Sequence, residues 1–171
     1  MWLGLSLFYV GAVLFLNGLW MLGKIADKEI WVINIFTGVV SLCIGLASIF
    51  GPAADAASIK SGALTLLFAF TYLWVAFNRF TGADGRGLGW FSLFVAITAV
   101  PVAIDSLLSA HSALDWWMGI NWAAWAVLWA LFFVLLALKK PIDRMTGWLC
   151  IAQGVLTGWV PGYLILAEKL V

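Results

Sequence analysis

The side chains that could act on another molecule are few, and most of them are rings. Trp122, Trp125 and Trp129 stand at i, i+3 and i+7 in the stretch NWAAWAVLW, so a helix sets all three on one stripe. Phe68 and Tyr72, in LLFAFTY, are i and i+4 and share a face. Leu7, Val10, Leu14 and Asn17 run i, i+3, i+7 and i+10 and end in an amide. If the three stripes converge, they wall a narrow passage with rings and aliphatic groups. Its donors would be sparse: indole N–H, phenol O–H and the Asn17 amide. Such a passage suits a flat neutral amide, whose faces stack on rings and whose edges take single hydrogen bonds. The same spacing also serves plain interhelical packing. Trp116 and Trp117 fit interface anchors instead.

Bond-breaking chemistry has little to work with, so an enzyme is not expected. The ionisable residues sit at the ends of apolar runs: Asp105 closes the fourth, Asp115 holds the N-cap position of the fifth, and Glu168 ends the sixth. His111, the single histidine, lies between runs and has no His or Cys neighbour to share a metal. No cofactor or metal is expected. Cys43 and Cys150 lie inside apolar runs and read as small buried hydrophobes. The segment GADGRGLG looks like a glycine-rich phosphate loop, but no strand precedes it, so it reads as a turn. No Asp, Glu, Lys or Arg falls at mid-run. The polar groups there are neutral: Asn17, Thr37, Ser41, Thr65, Thr71, Tyr72, Ser92, Thr98, Gln153 and Thr157. A path lined by such groups disfavours ions, because dehydrating a charge in a low dielectric is costly.

The elements that must position these residues follow from composition. Of 171 residues, 65% are hydrophobic and 10% charged, more apolar surface than a water-soluble domain of this size can hide. A net charge of +1 leaves no basic patch for nucleic acid. Apolar runs fall at roughly 2–22, 31–50, 62–78, 88–108, 117–138 and 146–167, each near the length of one helical crossing. They are continuous rather than alternating, which argues against a barrel. The expected fold is an all-α membrane protein, one domain over 1–171, with six transmembrane helices in three two-helix hairpins around a central pore. Basic residues set the orientation. Lys24, Lys28, Arg79, Arg86, Lys139, Lys140 and Arg144 lie in the odd loops, against Lys60 and Lys169 elsewhere. The positive-inside rule puts the odd loops in the cytoplasm and both termini outside. The opening MWLGLSLFYVGAVLFLNG has no basic n-region and reads as a retained first span. A faint repeat places Pro101 and Pro161 in the second helices of the last two hairpins. Each frees the carbonyl four residues earlier, Ile97 or Thr157, for a side chain, water or a solute.

The blocks LGLSLFYVGAVLFLNG, LTLLFAFTYLWVAFNRFTG, LGWFSLFVAITAVP, NWAAWAVLW and GVLTGWVPGYLIL resemble the AmiS/UreI family of urea and short-chain amide channels over nearly the whole chain. The resemblance implies a bacterial inner-membrane channel with one pore per protomer and a homo-hexameric ring whose centre holds lipid. It implies a pathway through Leu7, Val10, Leu14, Asn17, Phe68, Tyr72, Trp122, Trp125 and Trp129, with Gln153 where acid-gated members carry Glu. Those members also have long histidine-rich outer loops, and this chain has short outer loops and one histidine. One imidazole makes a poor steep switch. The reading is therefore a passive, constitutively open channel for urea and acetamide-like amides. A proton-coupled transporter and a non-transporting scaffold are the rivals.

Overall fold

Inside lipid every backbone N–H and C=O must be satisfied within the protein, and a helix does this locally. The computed structural model describes residues 1–170, all helices and short connections with no strand among them. The helices are α1 (Trp2–Met21), α2 (Trp31–Phe50), α3 (Ala56–Thr81) and α4 (Arg86–Leu108). Then α5 (Ala113–Phe132) runs on through a π-helical turn, Phe133–Ala137. The chain ends with α6 (Asp143–Gln153), a π-helical segment Gly154–Trp159, and α7 (Val160–Leu166), which together make the sixth span. All six spans are long and apolar enough to cross a bilayer, and the protein is a multi-pass membrane protein. One face carries the connections 22–30, 82–85 and 138–142, here the loop face. The other carries the N-terminus and the connections 51–55 and 109–112, the terminus face.

Two helices, α3 and α5, start four or more residues before their apolar runs, for a local reason. Asp55 and Ser58 form a capping box: the Asp55 carboxylate accepts from the Ser58 N–H at 2.8 Å, and the Ser58 hydroxyl accepts from the Asp55 N–H at 2.8 Å. The backbone N–H of Ser58 holds the Asp55 carboxyl below its ordinary range. Before α5 the N-cap is Ser112, which corrects the assignment of Asp115. Asp115 stands at N3, where its carboxylate accepts from the Ser112 N–H at 2.9 Å while Ser112 accepts from the Asp115 N–H at 3.1 Å. Serine caps without a charge, and the acid three positions on completes the pair.

Consecutive spans alternate in direction, giving three hairpins. The broadest helix contacts, however, lie between hairpins: α2 with α3, α4 with α5, and α1 with the sixth span. Small residues make these approaches possible. A Cβ at Gly38 would meet Leu73 at 2.7 Å, and one at Gly45 would meet Leu66 at 2.8 Å. Between α1 and the sixth span the backbones themselves touch: a Cβ at Gly11 would lie 2.2 Å from the Trp159 nitrogen, and one at Gly158 2.4 Å from the Gly11 Cα. Gly38, Gly45 and Gly154 are thus used inside the protomer. With the tight seams placed there, the inner faces of α1, α3 and α5 are left to face one another.

The second π segment ends just before Pro161, which has no N–H to return to Thr157. Its carbonyls are taken by α5 instead. Asn121 Nδ2 donates to the Thr157 carbonyl at 3.0 Å, and Trp117 Nε1 donates to the Leu156 carbonyl at 3.0 Å. The carbonyl freed by Pro161 is therefore satisfied within the bundle and is not left for a solute. Trp116 is exposed, as an interface anchor would be.

Candidate functional site

The aromatic stripes of α3 and α5 meet. Phe68 is the hub, with ring centroids 5.9 Å from Trp122, 4.9 Å from Trp125, 4.8 Å from Trp129 and 6.4 Å from Tyr72. Its contacts with the three indoles are edge-to-face, and Trp122 and Trp125 are likewise edge-to-face at 5.2 Å. This geometry matches ring edges to ring faces and fixes each ring against the next. Leu7, Val10 and Leu14 of α1 belong to the same buried cluster.

Two cavities flank the rings. On the loop face a cavity of about 280 Å³ is lined by Leu14, Asn17, Tyr72 and Trp129, among others. On the terminus face one of about 360 Å³ is lined by Leu7, Val10 and Trp122, among others. Phe68 and Trp125 line both, so these two rings form a collar where the cavities abut. Along α1 the stripe divides between the two sides, Leu7 and Val10 on one and Leu14 and Asn17 on the other. Charged groups appear only toward the mouths: Lys60 and Asp105 on the terminus side, Asp27, Arg79 and Asp143 on the loop side. Among the described residues no three His, Cys, Asp or Glu side chains gather to hold a metal.

Two of the four polar ring tips are already bonded. Trp125 Nε1 donates to Thr157 Oγ1 at 2.9 Å, and Trp129 Nε1 donates to Thr71 Oγ1 at 3.3 Å. Both threonines in turn donate to carbonyls one turn back on their own helices. For Trp125 and Trp129 the expectation of N–H donors to a solute is therefore corrected: they offer faces, and their nitrogens anchor the rings to the sixth span and α3. Asn17 likewise exchanges two hydrogen bonds with Asn34 of α2, at 3.1 and 2.7 Å. Of the stripe's polar groups, the Tyr72 hydroxyl and the Trp122 indole N–H make no hydrogen bond among the described residues.

Gln153 lines neither cavity. It is buried behind the collar between α5 and α6, and its Nε2 donates to the Ala124 carbonyl at 2.9 Å. Its place is beside the bond network that holds Trp125, one turn before Thr157. Three residues of this support, Asn34, Asn121 and Thr71's role as acceptor, are not evident from spacing. Asn34 and Asn121 carry a readable signal nonetheless, since an amide inside an apolar span must find a partner.

Thr157→Val tests the bracing. It keeps the volume, removes the acceptor of the Trp125 N–H and leaves a buried donor unpaired, at a cost of about 1–3 kcal/mol. The thermal midpoint in detergent should fall, and Thr157→Ser should largely restore it. An unchanged midpoint in the valine variant would mean the bond contributes nothing.

Fold and site together define a class: a six-span helical membrane protein in which two opposed cavities meet at an uncharged aromatic collar, a build for small neutral solutes. The chain belongs to the AmiS/UreI family; the family model, described as AmiS/UreI family transporter, matches residues 2–169. An acid-activated urea channel of Helicobacter pylori is 40% identical over 99% of this chain and 100% of its own length. A protein of Mycolicibacterium smegmatis named for the transport of amidate substrates is 41% identical over 96% of this chain and 76% of its own. The solved H. pylori urea channel in its closed state superimposes with a TM-score of 0.84 at 40% identity, covering 99% of this chain and 100% of that one. The fold, the family and its tie to urea and amide transport are thus as the sequence blocks lead one to expect.

Proposed function

We propose that the protein is a passive, constitutively open channel conducting urea and short aliphatic amides such as acetamide. The observation that carries this reading is the collar. Phe68 and Trp125 are shared by cavities opening on opposite faces, and no carboxylate, ammonium, guanidinium or imidazole stands between them. A planar amide can shed water there against ring faces, while an ion meets a dehydration cost that nothing repays. Leu7, Val10, Leu14, Asn17, Phe68, Tyr72, Trp122, Trp125 and Trp129 line the route, and Gln153 supports it from behind. In this reading the protein sits in the bacterial inner membrane with the loop face toward the cytoplasm. It assembles as a homo-hexamer whose centre is filled by lipid.

The ungated part of the reading rests on charge placement. The alignment to the urea channel runs over 195 positions, longer than this chain, so that relative carries insertions absent here. Among groups in the connections, Asp84 and Asp55 have carboxyls held below the ordinary range by backbone N–H bonds, from Arg86 and Ser58 respectively. The sign follows: a depressed carboxylate contributes fully above the ordinary range, and its contribution is lost as pH falls through the lower folded value. That window lies below about pH 4.

Proteoliposomes should therefore show urea and acetamide uptake that is nearly flat between about pH 5 and 7.5, the range in which histidine switches act. It should be indifferent to an uncoupler. A steep rise on acidification would overturn the ungated reading. Uptake that concentrates solute and collapses with an uncoupler would favour a proton-coupled transporter. No gain over protein-free vesicles would leave a scaffold.

A further inference from the structure

The loop-side mouth holds a charged pair that the collar does not need. Arg79, in the last turn of α3, has its Cζ 5.2 Å above the Trp20 ring, and Trp20 Nε1 donates to one oxygen of Asp27. Arg79 Nη1 stands 3.8 Å from the other oxygen, too far for a hydrogen bond. Arg79 Nε is buried and has no acceptor among the described residues. Beside it the side chain of Asn78, itself buried, makes no hydrogen bond among the described residues. Asp27, Asn78 and Arg79 line both the loop-side cavity and a shallower cavity of about 460 Å³ next to it, so any solute between the two passes them.

A buried guanidinium N–H with no acceptor carries an uncompensated desolvation penalty. Stacking on Trp20 keeps the fork from swinging out to water. The group is thus held ready for an oxygen that arrives from the cavity. We propose that Arg79 and Asp27 form a docking station for a primary amide at this mouth. The Arg79 guanidinium fork donates to the carbonyl oxygen, and the Asp27 carboxylate accepts from the amide N–H. The pair is neutral overall and presents one donor and one acceptor, the two halves of an amide edge. The other charged side chains facing these cavities are Asp143 in the first and Lys28 in the second. The proposal rests on the channel reading and adds to it a specificity residue away from the rings.

A carboxylate binds a guanidinium more strongly than a carbonyl does. Oxamate, an amide and a carboxylate in one small ion, should therefore occupy the station and, being charged, fail to pass the collar. The experiment measures acetamide flux in proteoliposomes with oxamate at equal concentration on both faces. Oxamate should block the native channel. Arg79→Gln should raise the half-blocking concentration about tenfold or more. Arg79→Lys, which keeps the charge but lacks the Nε fork, should raise it as much. Asp27→Asn removes the competing carboxylate from an exposed loop and should lower it by about threefold; it serves if the arginine variants fail to insert. Absence of block in the native protein, or full block in Arg79→Lys, would overturn the station and leave the channel standing. Absence of acetamide flux without oxamate would instead remove the channel reading, and the station with it.

Discussion

Gly158→Val should yield no folded protein. The added Cβ would sit 2.4 Å from the Gly11 Cα and 2.5 Å from the Gly11 nitrogen, and its branches would need still more room. A flexible side chain could swing aside, but here the obstacle is the backbone of α1. Only separation of the two helices relieves the clash. Overpacking a core costs about 1–3 kcal/mol even where side chains can adjust, so roughly 3 kcal/mol or more is expected here. The same seam holds Gly11 against the Trp159 nitrogen and Gly162 against the Phe8 nitrogen, so the loss would spread along it. Membrane yield and the thermal midpoint in detergent read the effect. Val127→Ala, on an exposed face of α5, should leave both nearly unchanged. A native midpoint for Gly158→Val would show that the sixth span does not pack on α1 as described.

Phe68→Ala should cost the channel its discrimination by size. Phe68 touches Tyr72 and all three stripe tryptophans, and it lines both cavities. Removing its ring joins the cavities and withdraws the wall that rejects extra methylenes. A tight apolar passage discriminates by about 1–3 kcal/mol per methylene. The permeability of butyramide relative to urea should therefore rise about tenfold or more. A buried Phe→Ala change also costs about 3–5 kcal/mol of stability, so Phe68→Leu, which keeps most of the volume, should be measured beside it and show a smaller shift in the same direction. Stopped-flow uptake of urea, formamide, acetamide, propionamide and butyramide gives the ratios. An unchanged series in both variants would return Phe68 to packing alone.

The spans and the ring stripes could be read from sequence because each depends on a local rule. Lipid demands about 20 apolar residues per crossing, and a helix turns i, i+3 and i+7 onto one face whatever its neighbours do. The early start of α3 was hidden because Ser58, Lys60 and Ser61 dilute the apolar signal, while the capping pair Asp55–Ser58 sets the start. What lay beyond reach depends on which faces meet. The spacing of Trp125 gives its stripe but not that its nitrogen would find Thr157, 32 residues away. The amide of Asn17 looked like a donor to the passage, and it is tied back to Asn34 by a helix whose seating no periodicity fixes. Gln153 was carried to the pathway by resemblance alone. Its amide donates to the Ala124 carbonyl of α5, a partner that the spacing along the sixth span does not reveal.

Cysteine accessibility tests most directly whether the collar divides one route. In a background with Cys43 and Cys150 replaced by alanine, Val10→Cys should react with a membrane-impermeant methanethiosulfonate only from the terminus face. Leu14→Cys, one turn further along α1, should react only from the loop face. Modification of either should stop urea uptake. Reaction of both from the same face, or urea uptake that continues after complete modification, would contradict the account.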